Sequence, residues 1–302
     1  MQATNSIVSP LTDPSRRLGN QIAGRRGWTA KAVFNAGMNC LVTSAVLIAS
    51  VPLFSVLYMV VAKGSSQFRF SMLWQLPPGA GMVGGGFGNA LLGTFLIVCV
   101  AAIISVPIGV GSAVYLTEFN RYSHMARFVR FSAKILSGLP SILAGVFVFA
   151  TIVTTTQKFS LFAGGIALAV LMLPIITLAT EEALLRVPPQ LREASFALGA
   201  NTSQTVFRVT LPAARSSILT GLSLAIARAA GESAPLIFTA LFSDYWINSL
   251  FQPTASLSVL VYNFSSVPYE NQINIAWAAS FILILGVLVT NVATRIVSGR
   301  SP

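Results

Sequence analysis

The sequence predicts an all-α membrane protein with six transmembrane helices, and two observations carry that reading. Of its 302 residues, 54% are hydrophobic and only 9% charged, with a mean hydropathy of +0.76. A water-soluble domain of this size needs far more polar surface, whereas a chain embedded in lipid does not. The few charges are also gathered between long gaps. Residues 32 to 62, 70 to 117, 135 to 157, 159 to 180 and 271 to 294 contain no Asp, Glu, Lys or Arg, and a helix crossing the hydrocarbon core needs roughly 20 apolar residues.

The elements follow in order. The first span, within 32 to 62, comes after a polar, basic stretch and exceeds the apolar core of a signal peptide, so it is expected to remain in the membrane. The second interval opens with Pro77-Pro78-Gly79 and a glycine cluster through Gly88, which places its helix at residues 89 to 116. Spans three and four fall at 135 to 157 and 159 to 180, and the last at 271 to 294. A fifth, at 216 to 241, carries charge within it.

Basic residues set the orientation. With the amino terminus in the cytoplasm, fifteen of the nineteen Lys and Arg residues lie on that side, Lys63, Arg69 and Lys158 lie outside, and Arg228 sits within a span. This is the asymmetry of the positive-inside rule. It accounts for the net charge of +11 without a nucleic-acid partner.

Several kinds of chemistry find no support. Cys40 and Cys99 fall inside spans, where a small buried side chain is the ordinary role. His124, the one histidine, lies in a basic loop. No Lys follows a glycine, so the Gly-Lys-Ser/Thr turn that cradles nucleotide phosphates is missing and ATP-driven work must come from another subunit. Prolines at 52, 107, 140, 174 and 235 interrupt the spans, either as packing geometry or as parts of a moving gate. Gly109, Gly111, Gly138, Gly145, Gly164 and Gly165 allow helices to approach closely.

Arg228 and Glu232 are four apart, which puts them on one face of the fifth helix. At a rise of about 1.5 Å per residue from Arg215, the pair reaches mid-membrane. Charges at that depth are functional candidates unless they satisfy each other as a packing pair. A guanidinium fork suits an oxyanion, since it donates two parallel hydrogen bonds to neighbouring oxygens.

Between the fourth and fifth spans, Pro188-Pro189 ends one helix and starts another. Leu191, Ala194, Ala197 and Leu198 give that helix an apolar stripe, Gly199 allows a turn, and a second helix follows. Phe196 and Phe207 are candidate knobs for a docking partner. The spacing Glu193-Ala194-Ser195, three residues, Gly199, nine residues, Val209-Thr210-Leu211-Pro212 resembles the cytoplasmic EAA loop of ABC importer permeases. It departs from that pattern only in Ser195, usually Ala, and Val209, usually Ile.

The segment Arg228-Ala-Ala-Gly-Glu232-Ser-Ala-Pro235-Leu236 resembles R-A-x-G-E-T-A-P-L of the PstA family, one of two permease subunits in phosphate-specific ABC importers. Val261-Tyr262-Asn263-Phe264 is similar to a segment of that family's external loop. The resemblance covers residues 35 to 297. It implies the type I ABC importer permease (MetI-like) fold, built as a basic cytoplasmic tail at 1–32, a permease domain at 33–297 with a coupling loop at 181–215, and a short tail at 298–302. It also implies a multi-pass protein of a prokaryotic inner membrane, with both termini cytoplasmic. Its partners would be a PstC-like permease, two PstB-like ATPases that bind ATP and Mg, and a PstS-like phosphate-binding protein. Phosphate would pass by alternating access. A permease for phosphonate, sulfate or molybdate is the alternative, with an ion-coupled secondary carrier further off.

Overall fold

The computed structural model describes residues 30 to 299. The amino-terminal tail up to residue 29 and the chain beyond 299 lie outside the described residues. Among those described, the chain is all helix and connecting loop. It divides into two compact units, Met1–Leu57 and Tyr58–Pro302.

Helix α1 (Ala30–Gln67) begins in the first unit, where Phe34, Leu41, Leu53 and Phe54 are exposed apolar side chains. Cys40, expected to be buried, is exposed on this helix, while Cys99 is partly buried. This first stretch of α1 buries no side chain.

In the second unit, α2 (Gly88–Val114) ends in a π turn, Tyr115–Phe119. An amphipathic helix α3 (His124–Gly138) follows, then α4 (Ser141–Val148), which continues through a π turn, Phe149–Val153, to Thr156. Helix α5 (Leu161–Leu185) leads into the loop helix α6 (Pro189–Ala197). The short α7 (Thr202–Thr205) continues through the π turn Val206–Thr210 into α8 (Leu211–Gly231). Helices α9 (Ala234–Thr239), α10 (Leu257–Ser265) and α11 (Glu270–Gly299) complete the unit. Five of these segments are long and apolar enough to cross a membrane, and α3 with α4 makes a sixth if the bent pair is one span.

The structure refines the expected spans. The third span is not one straight helix over 135 to 157, because α3 and α4 meet at 106°. Leu139 precedes a proline, which forces it out of the helical region to ψ 140°. The fifth span, read over 216 to 241 with an interruption at Pro235, stops at Gly231. Pro235 has no N–H to give the Gly231 carbonyl, and its ring would collide with it. Val261-Tyr262-Asn263-Phe264, between the fifth and sixth spans, lies on the short helix α10, where Leu257, Leu260 and Phe264 are buried against Phe87, Ala90, Ile275 and Ala278.

The main core joins Ile97 and Ala101 of α2, Leu168, Met172 and Ile176 of α5, and Ala225 and Ala229 of α8. Close approach there depends on glycine. A Cβ on Gly165 would stand 2.4 Å from Val100, and one on Gly109 would stand 2.7 Å from Ile176. Gly145 and Gly164 are similarly confined, by Pro235 and Ala240. Gly111 and Gly138 face open space, so close packing does not explain them.

Candidate functional site

The loop between α5 and α8 has the helix, glycine turn and second helix read from the sequence. Pro189 occupies the first turn of α6, where its missing N–H costs nothing. Gly199 adopts φ +83°, a conformation that a side chain resists. Its N–H donates to the Phe196 carbonyl at 2.9 Å, and that of Ala200 donates to the Ser195 carbonyl at 3.2 Å.

Asn201 then starts α7 with a capping box. Its side chain accepts from the Gln204 N–H at 2.8 Å, while the Gln204 side chain accepts from the Asn201 N–H at 2.9 Å. The sequence spacing Asn-x-x-Gln carries this signal.

Within the loop, Ser195 is buried and its hydroxyl lies 2.9 Å from that of Thr205. The hydroxyl that departs from the usual alanine therefore ties α6 to α7. Glu193, Ala194, Gly199 and Pro212 are exposed, while Val209 and Leu211 are half-buried. Leu191, Ala194, Leu198, Gln204, Arg208 and Val209 line a groove of about 600 Å³. Phe196, Phe207 and Leu198 project beside it, Leu198 at 89% exposure. An apolar cleft rimmed by exposed aromatics can receive a protruding apolar side chain of another protein.

Two arginines, visible in the sequence only as members of basic loops, hold this end of the unit together. Arg192, on α6, reaches Glu118 in the π turn after α2, with Nη2 2.7 Å from Oε1 and Nε 3.1 Å from Oε2. It also donates at 2.9 Å to the carbonyls of Leu184 and Val187, at and just beyond the end of α5, where the regular ladder of helical donors runs out. Arg130, on α3, works from the other side. Its Nε donates to Glu181 of α5 at 2.5 Å, and its two Nη groups donate to the carbonyls of Arg121 and Leu116 at 2.8 Å.

The charged pair of the fifth span lies at the break in the helix. Arg228 occupies the last turn of α8, where a cation complements the carbonyl end of the helix dipole. Glu232 is its C-cap, with extended backbone at ψ 126°. The two are therefore not on one continuous helical face, yet the side chains meet, Nε to Oε1 at 3.5 Å. Glu232 is mostly covered, with 18% of its side chain exposed, whereas Arg228 is 55% exposed. The Glu232 carbonyl, freed by the break, accepts from the Ser258 hydroxyl of α10 at 2.8 Å. In a membrane a broken helix needs such partners for its backbone. The arrangement holds a guanidinium at one edge through a carboxylate and leaves its other edge open. Among the described residues, no group of His, Cys, Asp and Glu gathers in the manner of a metal site.

Comparison with known proteins identifies the family and the fold. Residues 105–301 match the family model described as the binding-protein-dependent transport system inner membrane component. The phosphate transport system permease protein PstA of Yersinia pestis is 39% identical over 245 residues, 81% of this chain and 83% of that protein. The PstA of Haemophilus influenzae is 40% identical over 241 residues, 80% of this chain and 85% of its own.

Among solved structures, a chain of a bacterial alginate ABC transporter superposes with a TM-score of 0.61 at 15% identity, covering 91% of this chain and 98% of that one. A chain of the MetNI methionine ABC transporter does so with a TM-score of 0.57 at 21% identity, covering 76% and 98%. These likenesses show the fold, that of type I ABC importer permeases. From the span of the family match and the identity to its relatives, the chain belongs to the binding-protein-dependent transport inner membrane components and, among them, to the PstA permeases.

Proposed function

We propose that this chain forms half of the pathway by which an ATP-driven importer carries inorganic phosphate across a prokaryotic inner membrane by alternating access. The observation that carries the proposal is the Arg228–Glu232 pair at the break between α8 and α9, with a guanidinium 55% exposed and anchored at one edge. Such a fork offers parallel donors to two oxygens of a tetrahedral anion, and the fixed carboxylate beside it keeps an arriving anion from being held too tightly. Membership of the PstA family supports phosphate over other oxyanions.

ATP and Mg belong in this reading to PstB-like subunits. These would dock on the groove between α6 and α7, through Glu193, Ala194, Gly199 and the exposed Phe196 and Phe207, while Ser195, Val209, Leu211 and Pro212 shape the loop beneath. A PstC-like permease would supply the other half of the pathway, and a PstS-like protein would deliver phosphate from outside. Both termini of this chain would then lie in the cytoplasm.

Uptake of labelled phosphate in cells lacking other phosphate carriers tests the proposal. Uptake should require this chain and should resist excess sulfate, molybdate or phosphonate. Uptake competed equally by those anions would redirect the substrate assignment.

A further inference from the structure

The groove of the coupling loop is joined along the chain to α5 on one side and to α8 on the other. Residues 186 to 188 link α5 to α6, the positive-φ turn at Gly199 separates α6 from α7, and beyond α7 lies the π turn Val206–Thr210 that leads into α8. The Ser195 hydroxyl pairs with that of Thr205, inside the loop itself. Among the described residues, the side chain of α6 that bonds outside the loop is that of Arg192.

Its contacts reach two different spans. The Glu118 carboxylate, with 6% of its side chain exposed, sits in the π turn that closes α2, while the Leu184 and Val187 carbonyls belong to the end of α5 and the residues just after it. One side chain thus fixes the distance of α6 from the ends of both α2 and α5. The exposed Arg186–Glu182 pair nearby, at 3.6 Å within α5 and its cap, joins no two elements. Exposed pairs of that kind contribute little, whereas a covered, forked and carbonyl-bonded arginine holds its geometry.

We propose that Arg192 and Glu118 form the strut through which movement of the coupling loop reaches α2, making both of them positioning residues for transport. The inference rests on the loop being the ATPase contact. Along the chain, a push on α6 passes to α5 through residues 186 to 188 and toward α8 only through the glycine turn and the π turn, and neither route leads to α2. With the strut present it displaces the π turn at Glu118, where the helix is least regular. Through the close α2–α5 packing at Gly109 and Gly165, the displacement then passes to α5. Lysine at position 192 would keep the charge, but its single ammonium cannot serve the carboxylate and both carbonyls together.

The test uses the complete importer complex in proteoliposomes, supplied with ATP, phosphate and its binding protein, and measures phosphate transported per ATP hydrolysed. In Arg192→Lys and Glu118→Gln the ATPase subunits should stay bound and keep hydrolysing ATP, while phosphate moved per ATP falls about tenfold, the scale of a typical coupling between sites. Arg186→Ala should leave the ratio unchanged. A Glu118→Cys/Arg192→Cys chain, with Cys40 and Cys99 replaced by alanine, should recover coupling when a short thiol-reactive linker bridges the two positions. An unaltered ratio in both single variants, or loss of the ATPase subunits from both, would overturn the strut. A wild-type complex that hydrolyses ATP without moving phosphate would instead overturn the importer reading on which it rests.

Discussion

Replacing Gly199 by valine isolates the turn of the coupling loop from its packing. A Cβ at this position meets nothing within 4 Å, so the substitution creates no collision with neighbouring atoms. What remains is the backbone, fixed at φ +83°. Holding a residue other than glycine in that region costs about 1–3 kcal/mol, with β-branched side chains worst placed. A penalty of about 2 kcal/mol makes the native turn about 30-fold less populated. Because the turn sets α6 against α7, the groove between them should be lost with it. In a Gly199→Val complex, ATPase subunits should detach on purification or hydrolyse ATP without phosphate uptake, while the permease still inserts. Gly199→Asn is the matched control, since asparagine tolerates the left-handed region and should retain most activity. Wild-type coupling with valine, or equal damage from asparagine, would refute the argument that the turn's conformation is what matters.

Other outcomes follow from the same geometry. Asn201→Ala removes the capping box of α7 and should destabilise the loop by about 1 kcal/mol, seen as earlier proteolysis at the loop with the spans unaffected. Gly93→Val places a Cβ 1.9 Å from the Ala255 carbonyl oxygen, a backbone atom that cannot step aside, so no stable protein should accumulate in the membrane. A cysteine at Lys158, exposed after α4, should react with an impermeant thiol reagent from outside, and one at exposed Ser203 should not. The reverse labelling would invert the topology.

The long uncharged intervals were legible as spans because burial in lipid acts on composition, residue by residue. Gly199 and Pro189 were legible because their backbone requirements are local. The breaks were harder to read. Prolines at 140 and 235 were visible, but a proline inside an apolar run can bend a helix slightly or end it, and neighbours decide which. At Glu232 the decision is made with Ser258, 26 residues away. Helix α10 was hidden for a related reason, since its burial depends on Phe87 and Ile275, which sequence order does not bring near. The Arg192–Glu118 contact joins residues 74 apart. Nothing in the local pattern separates these two charges from the solvated ones around them.

The most direct measurement is labelled-phosphate uptake by cells whose only phosphate importer carries Arg228→Lys, or Arg228→Leu together with Glu232→Leu. Lysine keeps the charge and loses the fork. The double change removes both charges and would be harmless for a pair that serves packing alone, since a partly exposed ion pair contributes little to stability. Both variants should assemble at wild-type levels, with uptake reduced by lysine and abolished by the double change. Near-normal uptake by the double variant would take Arg228 and Glu232 out of the phosphate pathway.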